Sequence, residues 1–311
     1  IGVAMKSIIN IIKQQLVGVI SLSMPFIILS QIYPTFFDSI LNIIVCCIGI
    51  GFFTFYRHWS FSKNFADNLK FEPTGACKNS FEQTIIACGI DPKTVRLRYG
   101  YSSDAIASAT FTTILIDPLL WSGLVEDPEA LKTLEILNVN VVSALPELQK
   151  QRVAEVRQAL TEDVQRFIFK HELGHIVYNY SYKRLITVGI IGALMAWSGF
   201  ITATALYSIM GKVSVILAIV IAAFADLFLA FCSNPFLKVA EERKADIFAA
   251  RNSTAQEIEA AAEFFERHQE IVDRYAEDNL LSKLSPEILS GHPHGKRRSA
   301  YLRKLALQKA T

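Results

Sequence analysis

Two histidines and a glutamate stand at a spacing that builds a metal site: Phe167-Ile-Phe-Lys-His171-Glu172-Leu-Gly-His175-Ile-Val, an H-E-x-x-H pattern inside an apolar run. On a helix, residues four apart share a face, so His171 and His175 offer both imidazoles to one ion. Zinc suits such a pair. It would serve as a Lewis acid holding a water, and Glu172, next to the first ligand, is placed to take that water's proton. With six histidines in 311 residues, a chance H-E-x-x-H has a probability on the order of 0.006. Two surface histidines on a helix is therefore the weaker account.

A third ligand is offered further on by Glu241-Glu242-Arg-Lys-Ala-Asp246. With His171, Glu172 and His175, this E-x-x-A-D element resembles the HtpX and CAAX-prenyl-protease family of integral-membrane zinc peptidases. The resemblance implies that Glu242 is the third zinc ligand and that Asp246, one turn later, orients a ligand. Glu241 competes for the role, but only Glu242 stands four before Asp246. A solvated, charge-rich helix start is the plain alternative for this segment taken alone.

A third match is Gly291-His292-Pro293-His-Gly-Lys-Arg-Arg298, which is similar to the family's H-P-x-x-x-x-R segment. It implies that His292 and Arg298 approach the site, where either one stabilises the oxyanion. A basic loop before a helix is the competing reading.

The elements that must position these residues include a membrane part. Hydrophobic residues make up 51% and charged residues 19%, and mean hydropathy is +0.32, too apolar for an ordinary soluble domain. Four runs approach the roughly 20 apolar residues that cross a bilayer: Leu16–Tyr33, Ser39–Tyr56, Leu185–Met210 and Val213–Cys232. Short links make two helical hairpins of them. The first run lacks a small-residue cleavage site and leads straight into the second, so a mature span is expected rather than a signal peptide. The chain begins with Ile1, which leaves its natural start open.

Lys6, Lys13, Arg57, Lys63, Lys70, Lys183, Arg184, Lys238, Arg243 and Lys244 flank the outer ends of the hairpins. By the positive-inside rule both termini and the site face the cytoplasm. Pro25 is expected to kink the first span. Asp226, inside the fourth, either makes a structural hydrogen bond or lines a hydrated path to the metal.

Four parts follow: a transmembrane hairpin (1–56), a lobe carrying strands and the H-E-x-x-H helix (57–184), a second hairpin (185–233), and a helical lobe with the third ligand (234–311). The fold class is mainly α and integral membrane, joined to a zincin-like α+β protease domain with a small sheet.

In the first lobe, Asn79–Cys88 reads as a helix ended by Gly89, and Thr94–Tyr101 alternates like a half-buried strand. Ala105–Asp117 reads as a second strand-like run. Together they look like the family's sheet beside the active-site helix, whose edge pairs with an extended substrate; a plain structural hairpin is the alternative. Glu126–Ala159, with a polar helix from Glu147, departs from the family as an insertion: a lid, a regulatory subdomain or decoration.

Thr161 is expected to cap the metal helix, which then runs on towards Lys183 and the third span. Gly174 costs a helix about 1 kcal/mol, so close packing is expected there. The third-ligand helix is placed at Lys238–Arg251. Glu257–Tyr275 has an inner stripe of Ile258, Ala261, Phe265 and Ile271, with His268 solvated. The last helix is basic, fitted to anionic lipid headgroups.

These residues predict a zinc endopeptidase, one Zn2+ per chain, acting by Glu-activated water. By resemblance its substrates are membrane proteins, especially misfolded ones, cut on the cytoplasmic side. Prenylated substrates fit less well, because that branch has more spans. The alternatives are a dedicated single-substrate processing protease and a zinc-bound, non-proteolytic scaffold, against which the intact Glu172 speaks. A net charge of +2 and no aromatic-interleaved basic surface argue against nucleic acid. No phosphate-binding Gly motif supports ATP use. The five cysteines form no disulfide or metal framework and are read as small hydrophobes in a reducing cytoplasm.

Overall fold

A computed structural model describes residues 40–68, 72–100, 106–117, 120–121, 147–210, 238–275 and 294–310. Outside them lie the first and fourth expected spans with Pro25 and Asp226, residues 126–146 of the expected insertion, Asn234-Pro235, and His292. The chain divides into two compact units, Ile1–Phe61 with Lys183–Asn234, and Ser62–Tyr182 with Pro235–Thr311.

In the first unit two long helices are described, α1 (Ile40–Asn68) and α5 (Tyr180–Met210), each of which also extends into the second. Small residues let them approach closely: a Cβ on Gly51 would stand 2.7 Å from the Gly189 carbonyl, and one on Gly192 3.1 Å from Thr54 Oγ1. That is the packing chemistry of helices whose surroundings are apolar. Ile48, Phe52, Ile190 and Leu194 point outward and are exposed.

Among the described residues one stretch, Ile44–Asn64, is long and apolar enough to cross a membrane. The expected third span, Leu185–Met210, lies wholly within α5. The contact seen among the described residues is thus between the expected second and third spans, while each expected hairpin has its other span outside them. The second also ends later than expected, since the helix continues to Asn68.

The second unit is mainly helical with a small mixed sheet. Helix α2 (Gly75–Ala87) starts earlier than expected and ends where expected, at Gly89 in the left-handed region with φ +71. After a 3-10 turn at Pro92–Thr94 come β1 (Arg96–Tyr99), β2 (Ala107–Thr110) and β3 (Thr113–Ile116), in the order β1-β3-β2. Leu97 and Tyr99 are buried and Arg96 and Arg98 half-buried, the alternation the sequence carries. β3 pairs parallel with β1 and antiparallel with β2.

The run Ala105–Asp117 is thus not one strand. It folds back through a two-residue loop whose first residue, Phe111, takes φ +53, a conformation that hairpins ordinarily give to glycine.

Helices α3 (Glu147–Ala159), α4 (Glu162–Val177), α6 (238–251), α7 (Ala255–Tyr275) and α8 (Gly295–Ala310) complete the unit. α4 is its centre: every residue from Phe167 to His175 is buried, as in a helix enclosed on all sides. Phe169 meets Phe81 of α2 and Trp121 at centroid distances of 5.1 and 4.7 Å. Val156 of α3 joins the same core, so α3 is a structural layer and not a detached lid.

The stripe on α7 is as expected for Ile258, Ala261 and Ile271, while Phe265 is half-buried. His268 is not fully solvated: it is half-buried and stacks on Phe264 at 5.8 Å.

Candidate metal centre

Helix α4 carries His171 and His175 one turn apart, and α6 brings Glu242 against them. The two Nε2 atoms are 3.2 Å apart, Glu242 Oε2 is 3.2 Å from His171 Nε2, and Glu242 Oε1 is 3.3 Å from His175 Nε2. All three residues are buried. Donors held 2.0–2.1 Å from a tetrahedral ion stand roughly 3.3 Å from one another. The residues present therefore fit a metal ion, and their chemistry is the His2Glu set that leaves a catalytic zinc an open position.

The close helix approach rests on Gly174. A Cβ there would lie 3.0 Å from Ala245 Cα and 3.2 Å from Phe248 Cβ. The expectation of close packing is met, and the neighbour is the helix bearing Glu242.

Asp246 is 1% exposed, and its Oδ1 accepts from His171 Nδ1 at 2.8 Å, from Arg298 Nη2 at 2.6 Å and more distantly from Arg298 Nε at 3.2 Å. Arg298 Nε donates to Oδ2 at 3.0 Å, closing a two-pronged pair. The 3.0 Å between Arg298 Nη2 and His171 Nδ1 is the spacing of two donors sharing one oxygen. With its Nδ1–H given to Asp246, His171 turns its Nε2 lone pair towards His175 and Glu242.

Burial and the nearby Arg298 lower the pKa of His171, but Asp246 and hydrogen bonds to Asp246 and Glu242 outweigh them, and the imidazole is pushed up to about 9. Burial raises the Asp246 carboxyl, and Arg298 and His171 together hold it below its ordinary value. Burial opposes the charge of Arg298, yet Asp246 foremost, then Glu242 and Glu172, keep its pKa above the usual range.

Glu172 is buried beside these groups. Glu241 is also buried and stands outside the three-donor cluster. His175 Nδ1 has no hydrogen-bond partner among the described residues, and its ring meets Tyr180 edge-on at 5.5 Å.

Three local features depart from the sequence reading. Thr161 sits extended at the N-cap but makes no side-chain cap bond; Glu162 and Asp163 pair with Arg166 instead. The metal helix does not run into the third span, because it ends at Val177 and Asn179 turns left-handed at φ +54 before α5 begins. Asparagine is among the few residues that tolerate this turn.

The third feature was missed: Lys170, next to His171 and 4% exposed, donates to Glu257 Oε2 at 2.7 Å. Glu257 also accepts from the Thr254 amide at 2.8 Å while Thr254 Oγ1 accepts from the Glu257 amide at 3.1 Å. The T-x-x-E spelling of this capping box was legible, but its role as anchor for Lys170 was not.

Arg298 reaches the site because α8 starts very close to α7. A Cβ on Gly295 would collide with the Phe265 carbonyl, and the Gly295 amide donates to Gln269 Oε1 at 3.0 Å. The guanidinium lies 3.7 Å over the Phe265 ring. At the far end of α8, Lys309 Nζ donates to the Ala250 and Arg251 carbonyls at 3.0 and 2.8 Å, capping α6.

Residues 135–306, more than half of the chain, match the family model described as Peptidase family M48. The match takes in α3, α4, α5, α6, α7 and most of α8, and from residue 135 onward the expected insertion falls within the matched segment. The sheet and α1 lie before it. No curated protein and no solved structure matches the chain.

Proposed function

The chain belongs to peptidase family M48 and is a metallopeptidase, and we propose that it is a zinc-dependent endopeptidase whose ligands are His171, His175 and Glu242. The observation that carries this reading is the convergence of those three buried donors at 3.2–3.3 Å from one another. Zinc bound there supplies Lewis acidity, polarising a carbonyl and acidifying a water.

Glu172 is the general base: its carboxylate takes the proton of the attacking water and returns it to the leaving amine nitrogen. Asp246 holds His171 in the tautomer that leaves Nε2 free to ligate. Arg298, with both prongs on Asp246, acts in this reading as a positioning group more than as an oxyanion donor. That second role stays with His292, outside the described residues.

An extended peptide adds to the outer edge of β2, the strand that lies against α4. We further propose four membrane spans with the site and both termini cytoplasmic, and membrane proteins, misfolded ones above all, as substrates. The length and apolarity of Ile44–Asn64, the 31-residue α5 and the charge pattern support this topology.

The test compares wild type and Glu172→Gln, purified in detergent and stripped of metal, for cleavage of unfolded casein and a solubilised membrane protein after zinc is added. Zinc-dependent cutting by the wild type alone is expected. Failure to bind zinc stoichiometrically would remove the ligand assignment. Binding without cutting would turn the reading towards a narrowly specific protease.

A further inference from the structure

The sheet precedes the segment that matches the family model, so what fixes β2 beside the metal helix is read from its contacts. β2 has small, half-buried side chains, Ala107 to Thr110, and pairs with β3 along one edge. A side chain from outside the sheet ties down each end.

Before its first residue, the Trp121 indole Nε1 donates to the Ile106 carbonyl at 3.0 Å, and the Asp117 amide donates to the same oxygen at 3.2 Å. After its last residue, the Phe111 amide donates to Ser181 Oγ at 3.0 Å, and the Phe111 ring meets Tyr182 at 5.0 Å.

Both tethers lead back to the metal helix. Trp121 is 1% exposed and stacks on Phe169 at 4.7 Å with a 21° interplanar angle, and Phe169 stands two residues before His171. Ser181 lies in the first turn of α5, just past the left-handed Asn179 that ends the run begun by α4. A buried indole whose N–H finds a partner is a rigid strut, and a backbone amide outside the β ladder is held only by what it meets.

We propose that Trp121 and Ser181 are positioning residues for peptide hydrolysis: they fix β2 along the metal helix, and so set which bond of a paired peptide reaches Glu172. This rests on the reading of β2 as the substrate edge. Strand pairing repeats about every 3.3 Å per residue, and a slip of two residues keeps the same side chains facing the same way. Pairing places a peptide only relative to β2, so a given register presents a defined bond to Glu172 only where β2 itself is pinned lengthwise.

Trp121→Phe keeps the stack and removes the N–H; Ser181→Ala removes the acceptor, and Ser181→Thr restores it. The zinc-loaded, full-length protein would be given a defined casein peptide and the products read by mass spectrometry. In parallel, peptide affinity would be measured by fluorescence anisotropy in the Glu172→Gln background.

The expected result is that cuts spread severalfold to bonds two residues away, that Kd rises about fivefold, the scale of one lost hydrogen bond, and that zinc stoichiometry holds. Ser181→Thr should cut like the wild type. An unchanged cut pattern with Kd within twofold, loss of zinc in the variants, or no peptide binding would each overturn the proposal. A wild type that binds peptide but never cuts would defeat the proteolytic reading, while the affinities still decide this one. If Trp121→Phe fails to fold, the Ser181 pair decides.

Discussion

Arg298→Gln separates a residue that orients the metal site from one that fills space beside it. The guanidinium gives Asp246 two bonds, at 2.6 and 3.0 Å, and lies 3.7 Å over Phe265. Glutamine keeps part of the stem and one donor group but loses the charge and the second prong. Breaking a buried ion pair costs about 3–5 kcal/mol. Here the lower end is expected, because His171 Nδ1 still donates to Asp246 at 2.8 Å and the carboxylate is not stranded. The second effect falls on the metal, since loosening a partner of a ligand costs about 10- to 100-fold in affinity. The assays are zinc competition against a chelator and urea unfolding of the metal-free and zinc-loaded forms. Arg298→Gln should bind zinc 10- to 100-fold more weakly and lose about 3 kcal/mol. Arg298→Lys, which restores charge without the fork, should recover part of the stability and little of the zinc affinity. Zinc affinity within twofold of wild type in Arg298→Gln would refute the orienting role, whatever the stability loss.

Three more outcomes follow from the same contacts. Gly174→Ala places a methyl 3.0 Å from Ala245 Cα and must push α6 outward, so it should cost about 1–3 kcal/mol and weaken zinc binding; unchanged zinc affinity in the chelator assay would show that α6 yields without moving Glu242. Lys170→Met should destabilise by about 3 kcal/mol, the lower end for a broken buried ion pair, because Arg166 Nε at 3.3 Å and the Thr254 amide at 2.8 Å still face Glu257, and Lys170→Met with Glu257→Leu should recover part of it, although the double variant also loses the Thr254 cap; urea unfolding of both would deny the pairing if the double variant were the less stable. His171, raised from 6.5 to about 9 in the metal-free site, stabilises that form fully below pH 6.5 and ceases to as pH rises through 9. The same proton must leave before the nitrogen can bind a metal, so zinc affinity should rise by roughly tenfold per pH unit across this window, and a flat affinity between pH 6.5 and 8.5 would contradict it.

How much of this was legible follows from the range of each interaction. His171, Glu172 and His175 are written in five consecutive residues, and helical periodicity alone puts both imidazoles on one face. The stripe on α7 and the alternation of β1 are short-range patterns too. Glu242 needed a resemblance to choose it over Glu241, because one-residue shifts in a charged helix look alike until the partner helix is present. The turn at Phe111 carries no Gly, Asn or Pro, so a two-stranded hairpin read as one strand. The break at Asn179 was hidden because the apolar helix before it and the apolar run from Leu185 are separated by only a few residues and read as one helix. Lys170 and Glu257 lie 87 residues apart, and neither announces that its charge is buried.

The distribution of these long-range contacts explains why the site is a property of the whole second unit and not of its motifs. α4 is held by α7 through Lys170 and Glu257, and by the aromatic stack on Phe81 and Trp121. α6 is held against α4 by the missing side chain of Gly174 and is braced by α8, through Arg298 on Asp246 and Lys309 on the Ala250 and Arg251 carbonyls. Each brace acts on a helix of the donor cluster from a distant part of the chain. A donor set assembled this way exists only in the folded unit, so metal binding and folding of that unit draw on the same free energy. The H-E-x-x-H spelling names two of the three candidate donors, and the buried Asp246, Arg298, Lys170 and Glu257 brace the helices that bring them together with Glu242.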